Sequence, residues 1–221
     1  MLLEAQTNGS GTSWKELEQR ISEAIKLPRR AVAVGFLDAA PAGLEEFRGT
    51  EPSGCSFWRL AAAGKSFYTV PEQTLKMMFD LGYVRPEEVP QIPRLAKTPM
   101  AIAYAPLGDA TFTPDAVLFA CKPAGAMLLN EAAGRAGVGS GSAALGRPTC
   151  MALPATLQAG SILSLGCTGN RVYTGLGEDE MYFVVRGKDL GALADALDVI
   201  TGANRALQQY AQGRRAELAS A

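Results

Sequence analysis

The sequence predicts an α/β or α+β fold, a mixed sheet with flanking helices and a long C-terminal amphipathic helix. Three observations lead there. Apolar runs of strand length recur along the chain: AVAVGFL, MAIAYAPL, AVLFAC, SILSLGC and MYFVVR. Segments with apolar residues at helical spacing stand between them. The alternation lacks the strict βαβ regularity of a wholly parallel sheet.

Taken in order, residues 1–12 read as a flexible tail, because TNGSGT is too polar and glycine-rich to pack. One globular domain is expected over 13–221. Ser13 with Glu16 three residues later forms a capping box, and Trp14, Leu17, Ile21 and Ile25 make one apolar helix face ahead of Pro28. A strand is expected at 31–37, then a loop, a short helix FWRLAAA ended by Gly64, and the strand KSFYTV. PEQTLKMMFDLGYV reads as a helix with Pro71 at its start. The proline-rich stretch near 85–99 is the expected seam between two subdomains.

The second half repeats a similar order. Strands at MAIAYAPL and PDAVLFACKP precede the helix AGAMLLNEAAGRAG and a glycine-rich loop over 138–148. MALPATLQAG is a short helix if Pro154 lies in its first turn. SILSLGC and EDEMYFVVRG are strands, and residues 188–218 form the long helix, either continuous or broken at Gly202. Cys55, a short apolar segment, a glycine and SFYTV echo Cys150, a short apolar segment, a glycine and SILSL, which raises the prospect of two halves on one plan.

Composition narrows the function. With 48% hydrophobic and 19% charged residues and a net charge of -1, the chain carries no electrostatic footprint for nucleic acid. No run is long enough to span a membrane, and the N-terminus does not read as a signal peptide, so a cytoplasmic location with reduced thiols is expected. The chain has no histidine. Triads and dyads with a histidine base, His-ligated zinc and proximal-His haem are therefore all excluded.

Two glycine motifs invite a nucleotide-binding reading and fail it. GKS at 64–66 follows an arginine and three alanines and precedes FYTV, so the order is helix to strand. A phosphate loop needs strand to helix, with a glycine five residues before Gly64 where Arg59 stands. GVGSGSAALG contains no G-x-G-x-x-G and follows a helix. It is expected to be a loop that could cover a ligand.

The four cysteines all sit at element boundaries. Cys55 and Cys150 precede short helices, while Cys121 and Cys167 end strands. Backbone N–H groups at a helix start favour thiolate, and Arg59, Lys122, Arg147 and Arg171 lie nearby in sequence. Packing is the competing use of any cysteine. No pair has C-x-x-C spacing, so a metal site would have to assemble from distant segments.

CSFWRLAAAGKSFYTV, YAPL, PDAVLFACKPAGAMLLNEA, PTCMALP and SLGCTGNRVYTGLGEDEMYFVV together resemble the uncharacterised prokaryotic family named domain of unknown function 169. The resemblance runs from about residue 30 to 200, and GCTGNR is its most specific part. It implies Cys55, Cys150 and Cys167 as a set and sets Cys121 aside. It also implies a further cysteine in the segment that reads EQTLKMMFDLGY, where this chain has none.

These residues support three expectations. In the first, Cys55, Cys150 and Cys167 hold an iron–sulfur cluster or another soft metal with one position open, Arg59 and Arg171 bind an anionic group, and Trp58 walls the site. In the second, Cys55 or Cys167 is the nucleophile of a metal-free thiol enzyme or small-molecule binder, with Glu178, Asp179 and Glu180 as the visible carboxylates. Those three read more simply as a solvated turn. In the third, the chain is a non-catalytic partner subunit or homodimer; the stripe of the terminal helix either folds back on its own core, the commoner use, or packs on a second chain.

Overall fold

The computed structural model describes residues 11–49, 51, 54–70, 85–91, 93–139 and 151–219. The expected N-terminal tail up to residue 10, the expected helix over 71–84, most of the glycine-rich loop and Cys150 lie outside the described residues. Helix α1 (Trp14–Ile25) starts where the Ser13 hydroxyl accepts the Glu16 amide at 3.2 Å, and it buries the expected face of Trp14, Leu17, Ile21 and Ile25. Strand β1 (Val32–Leu37) is followed by α2 (Gly54–Ala62) and β2 (Phe67–Thr69). A 3-10 turn at Pro86–Gln91 precedes β3 (Ala101–Pro106) and β4 (Ala116–Cys121). Helices α3 (Pro123–Ala136) and α4 (Leu153–Ala159), strand β5 (Ser161–Ser164), α5 (Thr168–Thr174), β6 (Met181–Arg186) and α6 (Leu190–Ala219) complete the order.

Pro154 lies in the first turn of α4, where its missing N–H is harmless. α6 runs unbroken through Gly202, because one glycine raises the free energy of a helix interior by only about 1 kcal/mol. The TGNRVYT segment, to which the sequence reading assigns no element, is helix α5. It has no apolar stripe to reveal it, and its N-cap is the Cys167 sulfur, which accepts the Asn170 amide at 3.4 Å.

The strands form one six-stranded antiparallel sheet in the order β2-β3-β1-β4-β6-β5. Alternation within each strand sends residues to opposite faces. Ala33, Ala105, Val117, Phe119, Cys121, Phe183 and Val185 meet α1, α3 and α6 on one face. Val32, Val34, Tyr104, Leu118, Ala120, Tyr182 and Val184 meet α2 and α4 on the other. Helix α5 packs beside α2 on this second face. Among the described residues, no helix is long and apolar enough to cross a membrane.

The sheet contains one plan twice. In each half the third strand inserts between the first two, giving β2-β3-β1 and β4-β6-β5. The register repeats as well. Val32 pairs with Pro106 and Phe67 with Tyr104, as Ala116 pairs with Arg186 and Ile162 with Val184. After β3 and after β6 the chain makes a 3-10 turn, Leu107–Asp109 and Gly187–Asp189. The first amide of each turn donates to the residue before the opening strand, Leu107 to Ala31 and Gly187 to Asp115, both at 2.9 Å. The antiparallel β1–β4 pair at the centre makes the relation an approximate two-fold perpendicular to the sheet. The interval from Phe67 to Ile162 equals that from Cys55 to Cys150, so the repeat sets those two cysteines in correspondence in sequence.

Candidate functional site at the junction of α2 and α5

Helix α2 ends in a Schellman motif. Gly64 has φ +104°, its amide donates to Ala61 at 2.9 Å, and the Lys65 amide donates to Leu60 at 3.1 Å. The GKS amides of Gly64 and Lys65 are thus used by the helix end, which is why this motif has no phosphate-binding loop. At the other end of α2, Cys55 is half-buried. Its thiol lies within electrostatic reach of two buried phenols, Tyr104 and Tyr182. Burial pushes the Tyr104 hydroxyl well above its ordinary value and that of Tyr182 up to about 12, so both stay protonated across the physiological range.

Trp58 sits one turn along α2, 2% exposed, with its ring edge-on to Tyr182 at 5.2 Å between centroids. From the opposite side, α5 presents Asn170 and Thr174 at i, i+4 spacing, both buried. The Tyr182 hydroxyl donates to Thr174 Oγ1 at 3.1 Å, and Thr174 Oγ1 donates in turn to the Asn170 carbonyl at 2.8 Å. The Asn170 side-chain amide lies near the same phenol, yet among the described residues neither its Oδ1 nor its Nδ2 reaches hydrogen-bond geometry. Trp58 Nε1 likewise has no partner among them. Three buried polar atoms without such partners therefore sit on two packed helices, α2 and α5. A buried polar atom left without a partner destabilises a fold by about 1–3 kcal/mol, so such a concentration calls for an explanation.

Next to Trp58, Thr174 and Tyr182 lies a cavity of about 20 Å³, also walled by Arg29, Arg30 and Arg59; neither Asn170 nor Cys55 lines it. That is room for one water-sized group. Of its arginines, Arg29 is held by Glu180 at 2.6 Å and Arg30 by Glu18 at 2.9 Å and Asp109 at 2.5 Å. Arg59 is half-exposed and meets Glu51 only at 3.6 Å, the loosest hold of the three. A larger open groove of about 780 Å³ follows the β2 edge past Glu45, Arg48, Lys65 and Tyr68. It mixes both charge signs and none of its lining residues has a buried polar atom without a partner, so the α2–α5 junction is the better candidate.

The sequence-derived residues divide accordingly. Cys55, Trp58 and Arg59 stand together on α2, with Trp58 as the expected wall. Cys167 caps α5, the helix packed against α2. Arg171 donates to the carbonyls of Leu165 and Gly177 at 2.6 Å and of Glu180 at 3.0 Å. It ties the β5–α5–β6 connection together, which leaves the expected anion-binding role to Arg59. Cys121 is fully buried at the end of β4, and burial pushes its thiol up to about 12. It ends β4 as expected, and its side chain packs in the α1–α3–α6 core. Glu180 is likewise no solvated turn residue: it is 8% exposed, pairs with Arg29 and accepts the Gly177 amide at 2.7 Å. Among the described residues, no three Cys, Asp or Glu side chains are placed to hold a metal ion.

Sequence reasoning missed Arg29, Asn170, Thr174 and Tyr182. Asn170 belongs to the GCTGNR segment already singled out, so its polarity was a usable signal; Tyr182 looked like one more aromatic strand residue.

No curated protein and no solved structure matches the chain. The family model that does match covers residues 85–196, which takes in Cys167, Asn170, Arg171, Thr174 and Tyr182 and begins after Cys55, Trp58 and Arg59. Half of the chain lies within that span, and the protein belongs to the family named domain of unknown function 169, described as an uncharacterised ArCR family.

Proposed function

We propose that the protein binds a small anionic molecule at the α2–α5 junction and that Cys55 is the thiol beside which it binds. The observation that carries this reading is that Trp58 Nε1 on α2 and both ends of the Asn170 amide on the packed helix α5 are buried and lack hydrogen-bond partners among the described residues, with a half-buried cysteine on α2. Trp58 and Asn170 Nδ2 offer two donors, Asn170 Oδ1 one acceptor, and Arg59 a cation at the rim. A carboxylate- or amide-bearing molecule would satisfy that set. Tyr182 and Tyr104, kept protonated by burial, supply neutral walls near the sulfur rather than a general base.

Competitive alkylation tests the reading. Iodoacetate and iodoacetamide deliver the same alkyl carbon to sulfur and differ in charge. Relative to a small-molecule thiol, Cys55 is expected to favour the anionic reagent several-fold, and Arg59→Ala should remove the preference while Cys167 shows none. Equal reagent ratios at all thiols, by peptide mass spectrometry, would count against the proposal.

A soft-metal or iron–sulfur centre is the second reading. It is supported by Cys55 and Cys167 lying on two helices that pack together, and by the repeat correspondence of Cys55 with Cys150. Anaerobic purification followed by metal analysis decides it: stoichiometric iron, zinc or copper that disappears in Cys55→Ala supports a centre, and its absence from the parent protein removes this reading while leaving the first intact.

A further inference from the structure

The C-terminal helix outgrows the body that supports it. α6 spans Leu190–Ala219, and its buried residues, Leu190, Leu193, Ala194, Ala196 and Leu197, all lie in its first third. From Gly202 to Ala219 no residue is buried. That segment extends about 27 Å at the usual helical rise. It contains Gly202 and Gly213, each unfavourable by about 1 kcal/mol relative to alanine, and an unsupported helix of this length is marginal in water. Packing against another surface is what such a helix lacks.

The exposed side has a defined pattern. Val199, Ala203, Ala206 and Tyr210 follow one another at spacings of four, three and four, with Leu207 alongside. Val199, Leu207 and Tyr210 are 49%, 63% and 72% exposed. Arg205 and Arg215 project from the other side of the helix. Ordering along the stripe is informative, since two alanines precede two large residues. If two such helices run antiparallel about Ala206 and Leu207, Ala203 of one faces Tyr210 of the other and Ala206 faces Leu207. Small then meets large at the two central layers, and Val199 faces Arg214 at the outer one. In a parallel, in-register pair Ala203 would face Ala203 and Tyr210 would face Tyr210, leaving a gap at one layer and crowding at the next.

We infer that α6 is a dimerisation arm whose Val199–Tyr210 face pairs antiparallel with the same face of a second copy of this chain. The stripe is complementary to itself over Ala203–Tyr210, and Arg214, on the same side of the helix, meets Val199 of the second copy rather than a like charge. The pairing leaves the α2–α5 junction of each copy untouched, so this inference stands or falls independently of the ligand proposal.

Sedimentation equilibrium of the full chain, from low to several hundred micromolar, is the test. The expected result is a concentration-dependent rise from 23.2 kDa towards twice that mass. Leu207→Glu and Tyr210→Glu should each weaken association at least tenfold without changing far-UV circular dichroism, because neither side chain touches the body. A monomer at every concentration overturns the inference, as does a dimer that both charge substitutions leave unchanged. Ala203→Cys reports orientation: antiparallel pairing forms no 203–203 disulfide under mild oxidation, and efficient formation of that link would overturn the proposed geometry.

Discussion

Replacing Asn170 by leucine separates a residue kept for the fold from one kept for a ligand. The two side chains are close in size, and Asn170 is 1% exposed with both polar ends lacking partners among the described residues. If the amide served the fold, removing it would break hydrogen bonds and destabilise the protein by about 1–3 kcal/mol. The geometry predicts the opposite sign. Two buried polar atoms, each unfavourable by about 1–3 kcal/mol when unpaired, are exchanged for apolar surface against Trp58 and Tyr182. A bound water that satisfies part of the amide in solution reduces the gain, so we expect Asn170→Leu to be more stable by about 1–2 kcal/mol. For a protein of this size that corresponds to about 2–4 °C in melting temperature for each kcal/mol. Urea unfolding at constant m value provides the measurement. The variant should also lose the iodoacetate preference of Cys55. Stabilisation with loss of ligand recognition is the signature of a site held against the interest of the fold. A variant destabilised by more than about 1 kcal/mol would refute the reasoning, since the amide would then be satisfied within the protein.

Two further outcomes follow from burial. Cys121, whose thiol burial holds at about 12, should resist alkylation in the native protein and react only after denaturation, while Cys55 and Cys167 label without it; peptide mass spectrometry before and after urea checks this. Asp115 is a carboxylate raised above its ordinary value, chiefly by burial, although its Oδ2 accepts the Phe36 amide at 2.6 Å. Its protonation therefore contributes stability that is full below the unfolded-state value and is lost as pH rises through the folded-state value. Asp115→Asn keeps an acceptor for Phe36 and removes the charge, so it should abolish the part of the stability loss seen on passing upward through and just beyond the usual carboxylate range. A parent and variant with parallel stability profiles across that interval would contradict it.

How much of this could be read from residues alone depended on whether the signal was local. α1 was legible because Ser13 and the Trp14–Ile25 stripe both lie within one helix. The strands were legible because AVAVGFL, AVLFAC and MYFVVR are buried on both faces and so read as continuous apolar runs. Helix α5 was not, since its cap is a sulfur and its buried face is the polar pair Asn170 and Thr174. The same difficulty hid half the site. Cys55, Trp58 and Arg59 could be picked out as neighbours, whereas Tyr182 acquires meaning only once the sheet sets it under Trp58. Arg171 was misjudged for a related reason: sequence reveals a cation beside a cysteine, but not three backbone carbonyls waiting around it.

The internal two-fold explains why the site has this divided origin. Helix α2 is the crossover of the first half, between β1 and β2, and α5 is the connector of the second half, between β5 and β6. Their meeting brings α2, with Cys55 and Trp58, from one repeat against α5 and Tyr182 of the other, with the indole edge-on to the Tyr182 ring. Neither repeat alone could build the junction, because each contributes one wall. The shared sheet register fixes how far apart those walls stand: Tyr182 pairs with Ala120 on β4, and β4 in turn pairs with β1, so the strands from Tyr182 to the foot of α2 form one hydrogen-bonded path. A substitution that shifts the β1–β4 register would therefore separate Cys55 from Asn170 without touching either, and the β1–β4 pair is part of the site's positioning machinery as much as of its scaffold.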